Sequence, residues 1–186
     1  MGNFGLLICF LLTTIPGLSQ ELNRENIIQS LRGTEPLLKL IGQEIPEFKL
    51  ATITGDSIHS NELSGTPSII NLWFVACPPC IEEMPLLNNI KKYYKDEVDF
   101  ISITFNTDDE VHSLLENHPF NYLHLTNAKL YLSKIGIIAY PKTLILDKSN
   151  RIVRILDKPF IKKCSEKDPP NCRSKITSII NPLLDE

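Results

Sequence analysis

An α/β fold with a mixed central β-sheet flanked by helices, preceded by an N-terminal β-hairpin extension, is what this sequence predicts. Three observations point there. Two apolar, β-branched runs, Ser68–Phe74 and Asp99–Phe105, are each followed by a stretch with helical spacing. A later pair of runs, Lys142–Leu146 and Ile152–Leu156, flanks the turn Asp147-Lys148-Ser149-Asn150 and reads as a hairpin. The chain then closes on an amphipathic helix over Lys175–Leu184.

The 186 residues suit one domain with a real core. A net charge of -3 gives no basic footprint for nucleic acid. The first twenty residues carry no charged side chain, and Phe4–Leu12 is almost wholly apolar. Pro16-Gly17 breaks that run, and Gly17-Leu18-Ser19 sets small residues at -3 and -1 of a cut before Gln20. This is a signal-peptide layout without the usual Lys or Arg near the start. The alternatives are an uncleaved anchor or a buried N-terminal helix. The run falls short of the roughly 20 apolar residues of a membrane-spanning helix, so no stable membrane insertion is expected after cleavage. Cys9 follows Leu7-Ile8 and not small residues, so no lipid anchor is expected. The expected organisation is a signal peptide over 1–19, a lead-in over 20–41 and the folded domain over 42–186. Cleavage leaves Cys77, Cys80, Cys164 and Cys172, an even number that suits an oxidising compartment.

Along the chain, Glu21–Gln43 is a polar lead-in with a short helix around Asn26–Leu31. Phe48–Ile53 and Ser57–His59 flank Thr54-Gly55-Asp56 as a small hairpin, and Asn61–Gly65 turns the chain into the first long strand. After Cys77-Pro78-Pro79-Cys80, apolar Ile81, Met84, Leu87 and Ile90 mark a helix. Asn106-Thr107-Asp108 caps a helix to about Asn117. A short strand at Tyr122–Leu125 and a helix at Ala128–Ile135 precede the closing hairpin.

The chemistry concentrates at Cys77 and Cys80, two cysteines at C-x-x-C spacing where a strand hands over to a helix. Unpaired N–H groups and the dipole at a helix N-terminus favour an anion there, and the thiolate is the form that attacks disulfides. A structural disulfide or half a zinc site is the alternative; zinc needs two more ligands, and the other cysteines are distant. Pro78 suits the first helical position. Neither Pro78 nor Pro79 has an N–H, which leaves the Cys80 amide as the nearest helical donor to the Cys77 sulfur. With no His or Lys between the cysteines, the thiolate is only moderately stabilised, which predicts a reducing rather than strongly oxidising pair.

Four stretches resemble the TlpA/ResA-like branch of thioredoxin-fold thiol-disulfide oxidoreductases. Gly42-Gln43-Glu44-Ile45-Pro46-Glu47-Phe48 is similar to the family's G-x-x-x-P-x-F. Asn71-Leu72-Trp73, Cys77-Pro78-Pro79-Cys80 and Glu83-Met84-Pro85 resemble its active-site block. Tyr140-Pro141-Lys142-Thr143-Leu144-Ile145-Leu146-Asp147 resembles the segment holding its cis-proline, and Asn150-Arg151-Ile152-Val153 the hairpin after it. Two departures stand out. Ala76 replaces the family's usual Trp before the first cysteine, removing an aromatic wall. Where many relatives have a glutamate after the second strand, this chain has Asn106-Thr107-Asp108-Asp109; Asp108 is the candidate stand-in, or else a cap or solvated residue.

The resemblance implies a thioredoxin fold in a protein exported to the bacterial periplasm or another extracytoplasmic space. It implies Cys77 as exposed nucleophile and Cys80 as buried resolving thiol, reducing, or as a second choice isomerising, the disulfides of protein substrates of the envelope and recharged by an upstream thiol electron donor, with no cofactor and no metal. It implies a cis bond at Tyr140–Pro141, whose exposed backbone meets an extended substrate segment; a trans proline at a strand start is the alternative. Pro78, Pro79 and Trp73 complete the candidate substrate surface, although the bulk of Trp73 fits the buried face of its strand better than a substrate contact. Cys164 and Cys172 are expected to close a polar loop as a structural disulfide, worth on the order of 2–3 kcal/mol. The second reading is a copper-binding accessory protein using the same thiol pair with His118 or His124. His59, His112, His118 and His124 show no metal spacing. A peroxidase is weaker, since no P-x-x-x-T-x-x-C pattern surrounds Cys77.

Overall fold

The computed structural model describes residues 35–157 and 169–185, with side chains of the last helix described from Lys175 onward. The expected leader, the helix around Asn26–Leu31, and the pairing of Cys164 with Cys172 lie outside the described residues. Glu35–Glu186 forms one compact unit, so Glu35–Ile41 of the expected lead-in fold with the domain.

Among the described residues, seven strands and four α-helices follow in order: β1 Lys49–Ala51, β2 Ser57–His59, β3 Ser68–Trp73, α1 Pro78–Tyr94, β4 Asp99–Thr104, α2 Asp108–Leu115, β5 Leu123–Leu125, α3 Lys129–Lys134, β6 Lys142–Leu146, β7 Ile152–Asp157 and α4 Pro169–Leu184. Short 3-10 turns cover Pro36–Leu40 and Ser60–Leu63. The main sheet has the order β5-β4-β3-β6-β7, and β1-β2 form a separate antiparallel hairpin. β3 runs parallel to β4 and antiparallel to β6, which makes the sheet mixed. The hairpin is tied to the β5 edge through Ile53 N–H to His124 O, 3.0 Å, and Thr126 N–H to Ala51 O, 3.1 Å.

β3 is buried along its whole length, and its side chains divide by the strand's period of two. Ile69 and Trp73 face a core shared with Met84, Leu87 and Ile90 of α1 and with Ile176 and Ile180 of α4. Ile70 and Leu72 face the other core, with Tyr131 and Leu132 of α3 and Phe48 below the hairpin. Asn71 therefore points to the α1 side, where a buried polar group requires partners.

The elements agree with expectation in type and order, and the differences lie at the ends. α1 extends from Pro78 to Tyr94, beyond the expected Ile81–Ile90, with Cys77 as its N-cap. α4 starts at Pro169 and not Lys175, which places Cys172 inside its first turns; prolines fit there because the first-turn N–H groups have no helical partner. Within the expected Asn106-Thr107-Asp108 cap it is Thr107 that caps α2, its hydroxyl accepting the Glu110 N–H, and the helix ends at Leu115, short of the expected Asn117. Among the described residues, no helix is long and apolar enough to cross a membrane.

Candidate active site

Cys77 and Cys80 are joined by a disulfide at the head of α1, with Cα atoms 5.2 Å apart. Cys77 is the N-cap residue, and Pro78 and Pro79 fill the first helical positions as the sequence predicts. The Cys80 N–H donates to the Cys77 carbonyl at 2.9 Å, so in this oxidised form the amide expected to face the sulfur is already engaged.

Cys77 is not exposed as expected, retaining 3% accessibility, whereas Cys80 is buried as expected at 1%. Phe74, Val75 and Tyr140 pack against the same cluster that holds both cysteines. Ala76 and Pro78 form an exposed rim beside it, and Pro79 is half-buried.

The loop before Cys77 is fixed from β4. The Val75 N–H donates to Asn106 Oδ1 at 3.0 Å, and Asn106 also bonds Thr104 and Glu110. Asp108 lies elsewhere: its carboxylate accepts from the Thr126 hydroxyl and from Asn127 Nδ2, fastening α2 to the segment after β5. It is not a stand-in for a carboxyl at the cysteines.

Tyr140–Pro141 is a cis peptide bond. Its place follows from register, because Leu72 in β3 faces Lys142 in β6, so Tyr140 and Pro141 lie beside the end of β3 that leads to Cys77. Phe74 and Tyr140 touch edge to face at 5.3 Å, and Phe105 stacks on Phe74 at 5.5 Å. This aromatic cluster supplies a wall near the disulfide that Ala76 does not. Pro141 is itself buried while Tyr140 is half-buried, which leaves Tyr140 as the member of the pair at the surface.

Trp73 has no accessible surface. Its ring meets Phe120 and His124 edge-on at 6.0 and 6.3 Å, so it belongs to the core beneath the site and does not line a substrate surface. His124 has both ring nitrogens engaged, Nδ1 with Ser102 Oγ at 2.6 Å and Nε2 with Phe120 O at 2.8 Å. It offers no free lone pair to a metal, and among the described residues no group of three His, Cys, Asp or Glu side chains could hold one.

The residue that sequence reasoning missed is Glu83. It is 3% exposed, one helical turn beyond Cys80 on the same face of α1. Burial pushes its carboxyl up to about 8, against a lowering by the hydrogen bond from Asn71. Asn71 Nδ2 lies 2.8 Å from Glu83 Oε1 and 3.1 Å from Thr143 Oγ1. A polar stack thus runs from β6, two positions past Pro141, through β3 to α1 below the disulfide. The signal was in the spacing: Cys80, Glu83, Leu87 and Ile90 form one helical stripe, with the glutamate in line among buried residues.

With that geometry in view, comparison with known proteins is specific. The Redoxin family model matches residues 40–172. The thioredoxin-like protein YneN of Bacillus subtilis (strain 168) is 26% identical over 115 residues, covering 60% of this chain and 68% of YneN. The thiol-disulfide oxidoreductase ResA of Bacillus thuringiensis subsp. konkukian is 25% identical over 117 residues, covering 61% of this chain and 68% of its own. The thioredoxin domain of a thiol-disulfide oxidoreductase from Bacteroides vulgatus superposes with a TM-score of 0.63 at 17% identity, covering 76% of this chain and 98% of that domain, a likeness of fold alone. The chain belongs to the Redoxin family, as a ResA-like thiol-disulfide oxidoreductase built on the thioredoxin fold.

Proposed function

We propose that the protein is exported and reduces disulfides in proteins of the extracytoplasmic space by cycling Cys77 and Cys80 between dithiol and disulfide. The Cys77 thiolate attacks one sulfur of a substrate disulfide, the other substrate sulfur leaves as a thiolate, and a mixed disulfide forms. Cys80 then attacks the Cys77 sulfur, the second substrate thiol departs, and the Cys77–Cys80 bond closes. Two electrons have moved to the substrate, and an upstream dithiol returns them. The second attack is intramolecular and benefits from high effective concentration.

Glu83 serves the second step. Burial holds its carboxyl up at about 8, so at neutral pH it carries a proton that it can exchange with the Cys80 sulfur one helical turn away. Tyr140 and the backbone around Pro141, with Pro78 and Pro79 on the rim, are the surface on which the substrate polypeptide lies.

The observation that carries the reading is the Cys77–Cys80 disulfide at a helix N-terminus, flanked by the Tyr140–Pro141 loop and underlain by a buried acid. The test is dithiothreitol-driven reduction of insulin by wild type and Cys77→Ser. Turnover that falls to background in the variant is expected, and a wild type no faster than dithiothreitol alone refutes the reading. Export predicts a chain recovered from expressing cells whose mass begins at Gln20; a mass that retains the leader counts against it.

A further inference from the structure

Beside the site lies a buried charge pair that the proposed thiol cycle does not use. Lys142 opens β6 immediately after Pro141 and is 2% exposed; Glu35 is 1% exposed. A lysine without water requires an anion, and Glu35 Oε2 lies 2.9 Å from Lys142 Nζ. The contact is a charge pair off the axis of a formed hydrogen bond, since Oε2 has no hydrogen-bond partner by direction. The other oxygen, Oε1, accepts the N–H of Ile138 at 2.8 Å and of Ala139 at 3.3 Å. One carboxylate therefore grips the chain on both sides of the Tyr140–Pro141 bond.

We propose that Glu35 is a positioning residue of the active site: paired with Lys142, it holds the Ile138–Pro141 loop where a substrate polypeptide docks beside the Cys77–Cys80 disulfide. The proposal rests on the oxidoreductase reading and adds a specific contributor to it. Two further features support it. Pro36, next to Glu35, is seated against Gly136, where a Cβ would lie 2.6 Å from Pro36 Cβ, and Gly136 has a φ of +70° that favours glycine. The close fit locks the segment carrying Glu35 onto the start of the same loop. On the loop's far side, Tyr140 touches Phe74, three positions before Cys77, so a shift of the loop is felt at the cysteines' rim.

A buried ion pair is often no more stabilising than an apolar pair of the same volume. What it supplies here is direction, because two amides and an ammonium converge on one planar group. The class of substrate affected is an extended polypeptide that lies along the loop. A small disulfide reaches the sulfurs without that surface.

The experiment compares wild type, Glu35→Gln and the double variant Glu35→Leu with Lys142→Met, which leaves no orphan charge. Each is assayed with insulin and with 5,5′-dithiobis(2-nitrobenzoic acid), after circular dichroism has checked the fold. The expected result is a KM for insulin raised about tenfold, the equivalent of one lost docking contact. The kcat for insulin and the rate with the small disulfide stay within about twofold of wild type, a split that a merely structural role would not produce. A folded double variant with the wild-type KM, or one that slows equally on both substrates, overturns the proposal. Should the double variant fail to fold, Glu35→Gln decides by the same two criteria. A wild type inactive on both substrates overturns the oxidoreductase reading, and this proposal with it; an active wild type with unchanged variants overturns the positioning role alone.

Discussion

Glu83 gives the sharpest quantitative test, because one substitution removes one titration. Its carboxyl rises from an ordinary 4.5 to about 8, with burial as the largest cause. Below pH 4.5 folded and unfolded states are both protonated, and the residue costs nothing. Above it the unfolded chain releases the proton while the folded chain keeps it, so stability falls as pH rises and levels off past about pH 8. Each pH unit in that window is worth roughly 1.4 kcal/mol, or about 4 kcal/mol between pH 5 and pH 8. Glu83→Gln keeps an oxygen to accept from Asn71 and cannot ionise.

The assay is urea unfolding of the oxidised protein at intervals from pH 5 to pH 8.5, where both sulfurs are bonded and neither thiol titrates. Burial holds His124 below its ordinary range, and its slope is opposite, with stability present above about pH 6.5 and lost as pH falls. That slope is common to both proteins and cancels in the difference. The expected difference is under about 1 kcal/mol at pH 5 and about 4 kcal/mol in favour of Glu83→Gln at pH 8. A difference that stays constant within about 1 kcal/mol over the range would refute the claim that this carboxyl is buried uncharged.

Three further outcomes are expected. Asn71→Ala removes the one interaction that lowers the Glu83 carboxyl, so the levelling of stability should move above pH 8, read by the same urea series; no movement would mean the hydrogen bond is absent in solution. Cys80→Ser should trap the mixed disulfide with insulin as a covalent adduct on non-reducing gels, whereas Cys77→Ser should not; the reverse pattern would exchange the two roles. Equilibration of the Cys77–Cys80 pair against glutathione should give a reducing potential, since Pro78 and Pro79 lend the Cys77 sulfur no N–H donors; a value near -120 mV, as for a strong oxidant, would contradict it.

The fold was legible because its strongest signals are local. β3 and β4 are dense in β-branched residues, and the stripe Met84, Leu87, Ile90 repeats at helical spacing. The cysteine pair and Tyr140–Pro141 were legible for the same reason, as short motifs with a defined strand or helix on one side. The accessibility of Cys77 was not, because it is set by a cluster whose members, Phe74 and Tyr140 among them, come from separate segments and meet only in the folded chain. Glu35 was invisible for a stronger reason. Its partners lie more than a hundred positions away, |i−j| of 103 and 104 for the two amides, and no periodicity encodes such a pairing.

Glu82 and Glu83, adjacent acids on α1, have opposite surroundings, and Glu82 is exposed. Glu83 is turned inward by the same rotation that buries Cys80 and Leu87, and its sheet partner Asn71 stands in a strand that is buried at every position. Each of these polar residues would destabilise the core alone; facing one another, with Thr143 completing the set, they satisfy donors and acceptors that neither could leave unpaired. Leu at both positions would replace the pair with apolar side chains and leave Thr143 Oγ1 without its Asn71 partner. Such a protein would lose the only buried carboxyl one turn from Cys80 among the described residues, the group that the proposed reaction uses to hold and return a proton.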